Sequence, residues 1–204
     1  MTPSARVQSA IELLDAILHA ARENGAAADT IAARFFKDRR YAGSGDRRAI
    51  RDIAWRAIRR FGKIPRDGRS AMVAMADQDD ALADLFTGEE RAPYALKNDE
   101  LRADGGVLPK WILPHLDARI GAKGGQAQEI AALLDRAPLD LRINPARREG
   151  VELPAGEALP SPLNGLRLAG DTPVMESAAY LYGAIEVQDP AANGSAGPAA
   201  RSRG

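Results

Sequence analysis

The apolar residues of this chain change their period once, near Pro138, and that change limits the fold it can adopt. Upstream they recur at three and four residues, the spacing of one helix face. Val7, Ile11, Leu14 and Leu18, widened by Ala10, Ile17 and Ala21, predict a first helix, with Ser4 as its N-cap and Asn24-Gly25 as its stop. Ile31, Phe35 and Phe36 predict a second helix beginning at Ala28 or Asp29 and running into the basic cluster 37–40. Asp46 is placed to cap a third, with Ile50, Ile53, Ala54, Ala57, Ile58 and Phe61 on one side. Met72, Met75, Leu82, Leu85 and Phe86 mark a helical stretch over 70–87, broken around 77–80. A helix begun near Pro109 would bury Trp111, Ile112, Leu116 and Ile120, and another over 126–136 would turn Ile130, Leu133 and Leu134 inward.

Downstream of Pro138 the period becomes two. Leu139, Leu141 and Ile143 alternate with Asp140, Arg142 and Asn144, as in a half-buried strand. Residues 166–168 and 184–187 are two further short strands, 177–182 a turn of helix, and 145–165 loops or short edges. The reading is therefore mainly α: a helical domain over 1–123, a small α/β domain over 124–190, and a tail over 191–204. The tail is reduced to Ala, Gly, Ser, Pro, Asn and Arg and is expected to be disordered.

Composition removes whole classes of chemistry. With no Cys in 204 residues there is no disulfide, thiolate metal site or cysteine nucleophile, and two His without ligand spacing argue against zinc. No apolar run has the length of a membrane span, and Glu12 and Asp15 interrupt the first apolar stretch where a signal peptide would need it continuous. The cytoplasm is the expected compartment.

The 28 basic and 28 acidic side chains cancel, but they are segregated. Residues 34–69 hold thirteen Lys or Arg against four Asp; residues 70–104 hold nine acids against three bases. In the third helix Arg47, Arg48, Arg51, Arg59 and Arg60 interleave with the apolar stripe, and Arg39, Arg40 and Lys63 flank it. Guanidinium forks match phosphate oxygens, so this pattern suits a nucleic-acid backbone. It equally suits a solvated helix face whose arginines pair with Asp46, Asp52 or the acidic segment. Other features carry less. Gly43-Ser44-Gly45 lacks the strand and lysine of a phosphate loop, His19 and His115 suit surface or core-edge positions, and Trp55 and Trp111 suit core anchors.

Four stretches in order point to one family. The segment at 46–64 (DRRAIRDIAWRAIRRFGKI) resembles the arginine-rich helix of NusB-like RNA-binding domains. In particular it looks like the NusB-like domain at the front of RsmB/NOP-type RNA cytosine-5 methyltransferases. LPKWILPHL at 108–116 is similar to that family's Pro-x-Trp-Leu segment, PLDLRIN at 138–144 to its small-domain strand, and AIEVQDPAAN at 184–193 to the strand leading into its catalytic domain. The resemblance covers roughly residues 5–190 and implies a NusB-like bundle followed by a small α/β domain. It implies RNA, ribosomal in the leading expectation, as partner. The phosphate contacts would come from Arg39, Arg40, Arg47, Arg48, Arg51, Arg59, Arg60 and Lys63, with Arg142 and Asn144 helping to deliver the target strand. In the family, S-adenosylmethionine is bound by a doubly wound domain that also supplies two cysteines, and nothing in these 204 residues matches that domain. Ring methylation at carbon 5 needs a thiolate to add to cytosine, so this chain is expected to be inactive alone, with no catalytic, cofactor or metal residue of its own. The competing expectations are a stand-alone NusB-like module, either an RNA-binding regulator or a protein-interaction adaptor, or a nonfunctional gene fragment.

Overall fold

The computed structural model describes residues 1–120, 125–160, 164–170 and 172–189. The expected disordered tail lies outside these residues. The chain divides into two compact units, Met1–Asp135 and a second opening at Arg136. The break falls later than the 123/124 boundary read from sequence, because the helix at 125–132 belongs with the first unit.

The first unit is helical and is built around α1 (Pro3–Arg22). Thr2, not Ser4, is the N-cap: its Oγ1 accepts the Ala5 amide hydrogen at 3.2 Å, and Pro3 occupies the first helical position, where its missing N–H costs nothing. The buried set of α1 is broader than the expected stripe. Leu13 is fully buried beside Leu14 and Val7, Ser4 and Ser9 are buried, and Ala21 is exposed. A helix buried this widely needs neighbours on several sides, and α2 (Ala28–Asp38), α3 (Ser44–Arg60) and α4 (Gly68–Ala76) supply them. Phe35, Phe36, Ile50, Ala54, Ala57, Met72 and Val73 close one core around it.

Asp46 does not cap α3. Gly43 precedes the helix without a side-chain cap, and Asp46, in the first turn, accepts from Arg6 Nε at 2.8 Å and so ties α3 to α1. The Arg6 hydrogen bond holds the Asp46 carboxyl below its ordinary pKa, against the opposing effect of burial. Asp67 does cap α4, in a capping box with Ser70. The expected break at 77–80 is present: α5 (Asp80–Ala83) begins anew behind Asp79, whose Oδ1 accepts the Leu82 amide hydrogen.

A 3₁₀ turn at Lys110–Ile112 leads into α6 (Leu113–Ile120), followed by α7 (Gly125–Ala132). Here the sequence expectation fails in part. Trp111 is 69% exposed and Leu133 51% exposed, while Ile112, Leu116, Ile130 and Leu134 are half-buried. These helices are two turns long and contact mainly one another, so they offer little surface to bury against. The side chain of Ile120 lies outside the described residues.

The second unit is a four-stranded antiparallel sheet in the order β2-β3-β1-β4. The strands are β1 (Leu139–Ile143), β2 (Glu157–Ala158), β3 (Gly165–Leu168) and β4 (Ile185–Val187). Leu141 stands opposite Leu166 on one side and Val187 on the other, and Ile143 opposite Ile185. The alternation read from sequence sets this register, since a slip of one residue would turn Leu141 and Ile143 to solvent. Leu141, Ile143, Leu168, Val174, Ala179 and Ile185 form the core. The single-turn α8 (Ala178–Leu181) ends at Gly183, whose φ of +70° is the left-handed conformation that lets the chain reverse into β4. Among the described residues no helix is long and apolar enough to cross a membrane.

Candidate nucleic-acid interface

The arginines of α3 occur because the helix alternates core and surface every turn. Ile50, Ala54 and Ala57 face inward, and Arg48, Asp52 and Arg56 follow one another along the exposed side at helical spacing. Ile58, expected inward, is 38% exposed because it lies at the margin of the apolar stripe. Trp55 is half-buried and packs against the core, so it is partly the anchor expected of it.

The eight cations expected to bind RNA in the first unit fall into two groups. In the first, the charge is open. Arg40 and Arg48 are exposed, and Arg51 is exposed with its guanidinium carbon 5.8 Å from the Phe36 ring centroid and 5.9 Å from that of Trp55. Those ring contacts orient Arg51 without neutralising it. Among the described residues none of these three makes an ion pair, and Lys63 is likewise exposed and unpaired.

In the second group, the guanidinium is engaged. Arg39 lies 3.6 Å over the Phe35 ring and pairs with Glu12 at 3.0 Å. Arg47 Nε donates to the Ala42 carbonyl at 2.8 Å and so braces the turn between α2 and α3. Arg59 Nε donates to the Leu134 carbonyl at 3.2 Å, and Arg60 to Gln78 Oε1 at 3.1 Å. Arg56, which the sequence did not single out, pairs with Asp79 at 2.9 Å. Apart from Arg47, the arginines in the N-terminal half of α3 are thus open, and those in its C-terminal half are held by the segments it packs on.

Part of the acidic segment is occupied internally. Asp77 takes both Nε and Nη2 of Arg102, at 2.7 and 3.2 Å, and raises the Arg102 pKa. Glu100 takes Nε and Nη2 of Arg69, both at 2.7 Å, and this pair holds its carboxyl below the ordinary range despite burial. Tyr41, which follows Arg40 in the chain, is 71% exposed and lines a cleft with Thr2, Gln8 and Glu12 of the α1 end, a cleft that neither Arg48 nor Arg51 lines.

In the second unit, Arg142 and Asn144 have structural partners. Arg142 stands opposite Glu186 across β1 and β4 and pairs with it at 3.0 Å, while its Nε is buried without a hydrogen-bond partner. Asn144 Oδ1 accepts the Ala146 amide hydrogen at 3.1 Å and caps the 3₁₀ turn at Pro145–Arg147. No group of three His, Asp or Glu among the described residues could hold a metal ion.

Comparison with known proteins finds no matching family model, no similar curated protein and no similar solved structure.

Proposed function

We propose that the chain is the RNA-recognising N-terminal portion of an RsmB/NOP-type RNA cytosine-5 methyltransferase, with a NusB-like first unit, acting towards ribosomal RNA and inactive by itself. The observation that carries this reading is the set of exposed, unpaired cations Arg40, Arg48 and Arg51, with Arg51 set beside the rings of Trp55 and Phe36. Each phosphate neutralised there releases counterions, and the Trp55 ring offers a base a surface to stack on. Arg39, Arg47, Arg59 and Arg60 would support those cations from behind, by holding the turn and helix that present them.

In this reading S-adenosylmethionine would be held by the family's doubly wound domain and not by these residues. The family's cofactor lies at the carboxyl ends of parallel strands, whereas every strand pairing described here is antiparallel. The chain also has no thiol to add to cytosine. Methyl transfer would therefore belong to a separate catalytic domain.

The test is binding of ribosomal RNA fragments as a function of salt, followed by fluorescence anisotropy. Replacing Arg40, Arg48 and Arg51 with Ala should weaken binding and reduce the slope of log affinity against log salt by about two to three. Unchanged affinity and slope would reject the assignment.

A further inference from the structure

A second cationic feature lies beyond the end of α3. The loop 62–66 and the segment 101–106 run side by side, joined by Gly62 N–H to the Gly106 carbonyl at 2.8 Å, with Ala103 N–H bound to the Ser70 carbonyl at 2.9 Å. Between them lies a cleft of about 420 Å³. Arg22, Lys63, Arg66 and Arg102 line it, with Asp104 the one carboxylate in its wall.

The roles of these cations differ. Arg102 is neutralised by Asp77 and forms a wall. Arg22 Nη2 donates to the carbonyls of Pro65 and Arg66, which aims its guanidinium at the loop without cancelling its charge. Lys63 is exposed and has no ion-pair partner among the described residues, and Arg66 is 75% exposed with only a long 3.5 Å approach to Asp67. Three positive charges thus converge on a space with one acid. Two large apolar side chains stand at the same cleft, Ile64 at 53% exposure and Leu101 at 51%.

We propose that this cleft binds the phosphoryl group of an organic phosphate. An anion with several oxygens can take the Arg66 fork, a remaining Arg22 N–H and the Lys63 ammonium together, which a single planar carboxylate cannot. The volume exceeds that of inorganic phosphate, and Ile64 and Leu101 give the organic part an apolar seat. A nucleic-acid phosphodiester and a free nucleoside monophosphate share this chemistry. The cleft is distinct from the set of Arg40, Arg48 and Arg51, and the proposal does not depend on them.

The experiment is an amide NMR titration of the full chain with adenosine monophosphate and, separately, with a single-stranded oligoribonucleotide, each at constant ionic strength. Saturable shifts should appear at the amides of Lys63, Ile64, Arg66 and residues 101–104. Lys63→Glu with Arg66→Glu, both on exposed side chains, should weaken binding at least about tenfold, one charged hydrogen bond's worth, with an unchanged melting temperature. Arg48→Ala with Arg51→Ala should leave the shifts of Lys63, Ile64, Arg66 and residues 101–104 intact, whether or not that variant loses RNA affinity. Shifts from the monophosphate alone would identify a free nucleotide as the source, and shifts from both, in mutual competition, a nucleic-acid backbone. No saturable shift at these amides, or shifts that persist in the Lys63/Arg66 variant, would overturn the proposal.

Discussion

Asp15 on α1 accepts the amide hydrogen of Gly68, the first residue of α4, at 2.6 Å. The approach is possible because residue 68 has no side chain: a Cβ there would overlap the carbonyl of Ile11 and crowd Asp15. The two helices are thus held at backbone distance by one glycine and one carboxylate. Gly68→Ala should cost about 1–3 kcal/mol, the usual range for overpacking, as a lower urea midpoint with the slope unchanged. A loss below a few tenths would mean that α4 can shift aside.

Glu100 should make stability depend on acid. Its folded-state pKa lies below the ordinary carboxylate value because Arg69 favours the ionised form. Its contribution is therefore complete above the unfolded value of about 4.3 and is lost as pH falls through the lower folded value. Glu100→Gln should destabilise the protein at neutral pH and flatten the fall in stability below about pH 4.3. Urea midpoints at a series of pH values would show this, and parallel curves for the two proteins would refute it. Arg69 also donates to the carbonyls of Tyr94 and Ala95, so Arg69→Ala should in addition speed hydrogen exchange over 94–100.

The two halves of α3 should separate in mutagenesis. Arg59→Ala with Arg60→Ala removes bonds to the Leu134 carbonyl and Gln78 and should lower stability by about 1–2 kcal/mol in thermal unfolding. RNA affinity should change less than in Arg48→Ala with Arg51→Ala, which should leave the melting temperature within a degree or two. Reversal of that order would mean that the C-terminal half opens to meet the ligand.

Arg142 presents a buried Nε without a partner while its outer nitrogen meets Glu186. Arg142→Lys keeps a cation for Glu186 and exchanges the orphaned N–H for a methylene. It should be neutral or stabilising by up to about 1 kcal/mol. A clear loss in denaturant unfolding would show that the guanidinium is needed as a whole.

Where local pattern decides the outcome, the structure could be read from the residues. The stripe Val7, Ile11, Leu14 and Leu18 gave α1, and the alternation of Leu139, Leu141 and Ile143 gave β1 and its inward face. Thr2 was missed as the cap because Ser4 carries an equally good side chain and only the start of the helix chooses between them. Trp111 was misplaced because a bulky apolar residue signals burial only if a neighbour arrives to cover it. The arginine block was evident from its charge, but its division was not. Glu12, Gln78, Asp79 and Leu134 are remote in sequence from the arginines they hold, and no spacing rule links them. The cleft beyond α3 was hidden for the same reason, since Arg22, Lys63 and Leu101 meet only after folding.

The placement of the two tryptophans has a practical consequence. Trp55 is half-buried against the core with the Arg51 guanidinium near its ring, while Trp111 is largely in water. Their emission should differ in colour and in sensitivity to a collisional quencher such as iodide. With Trp111 replaced by Phe, the remaining indole becomes an intrinsic optical probe of whatever settles on the open end of α3, with no label attached.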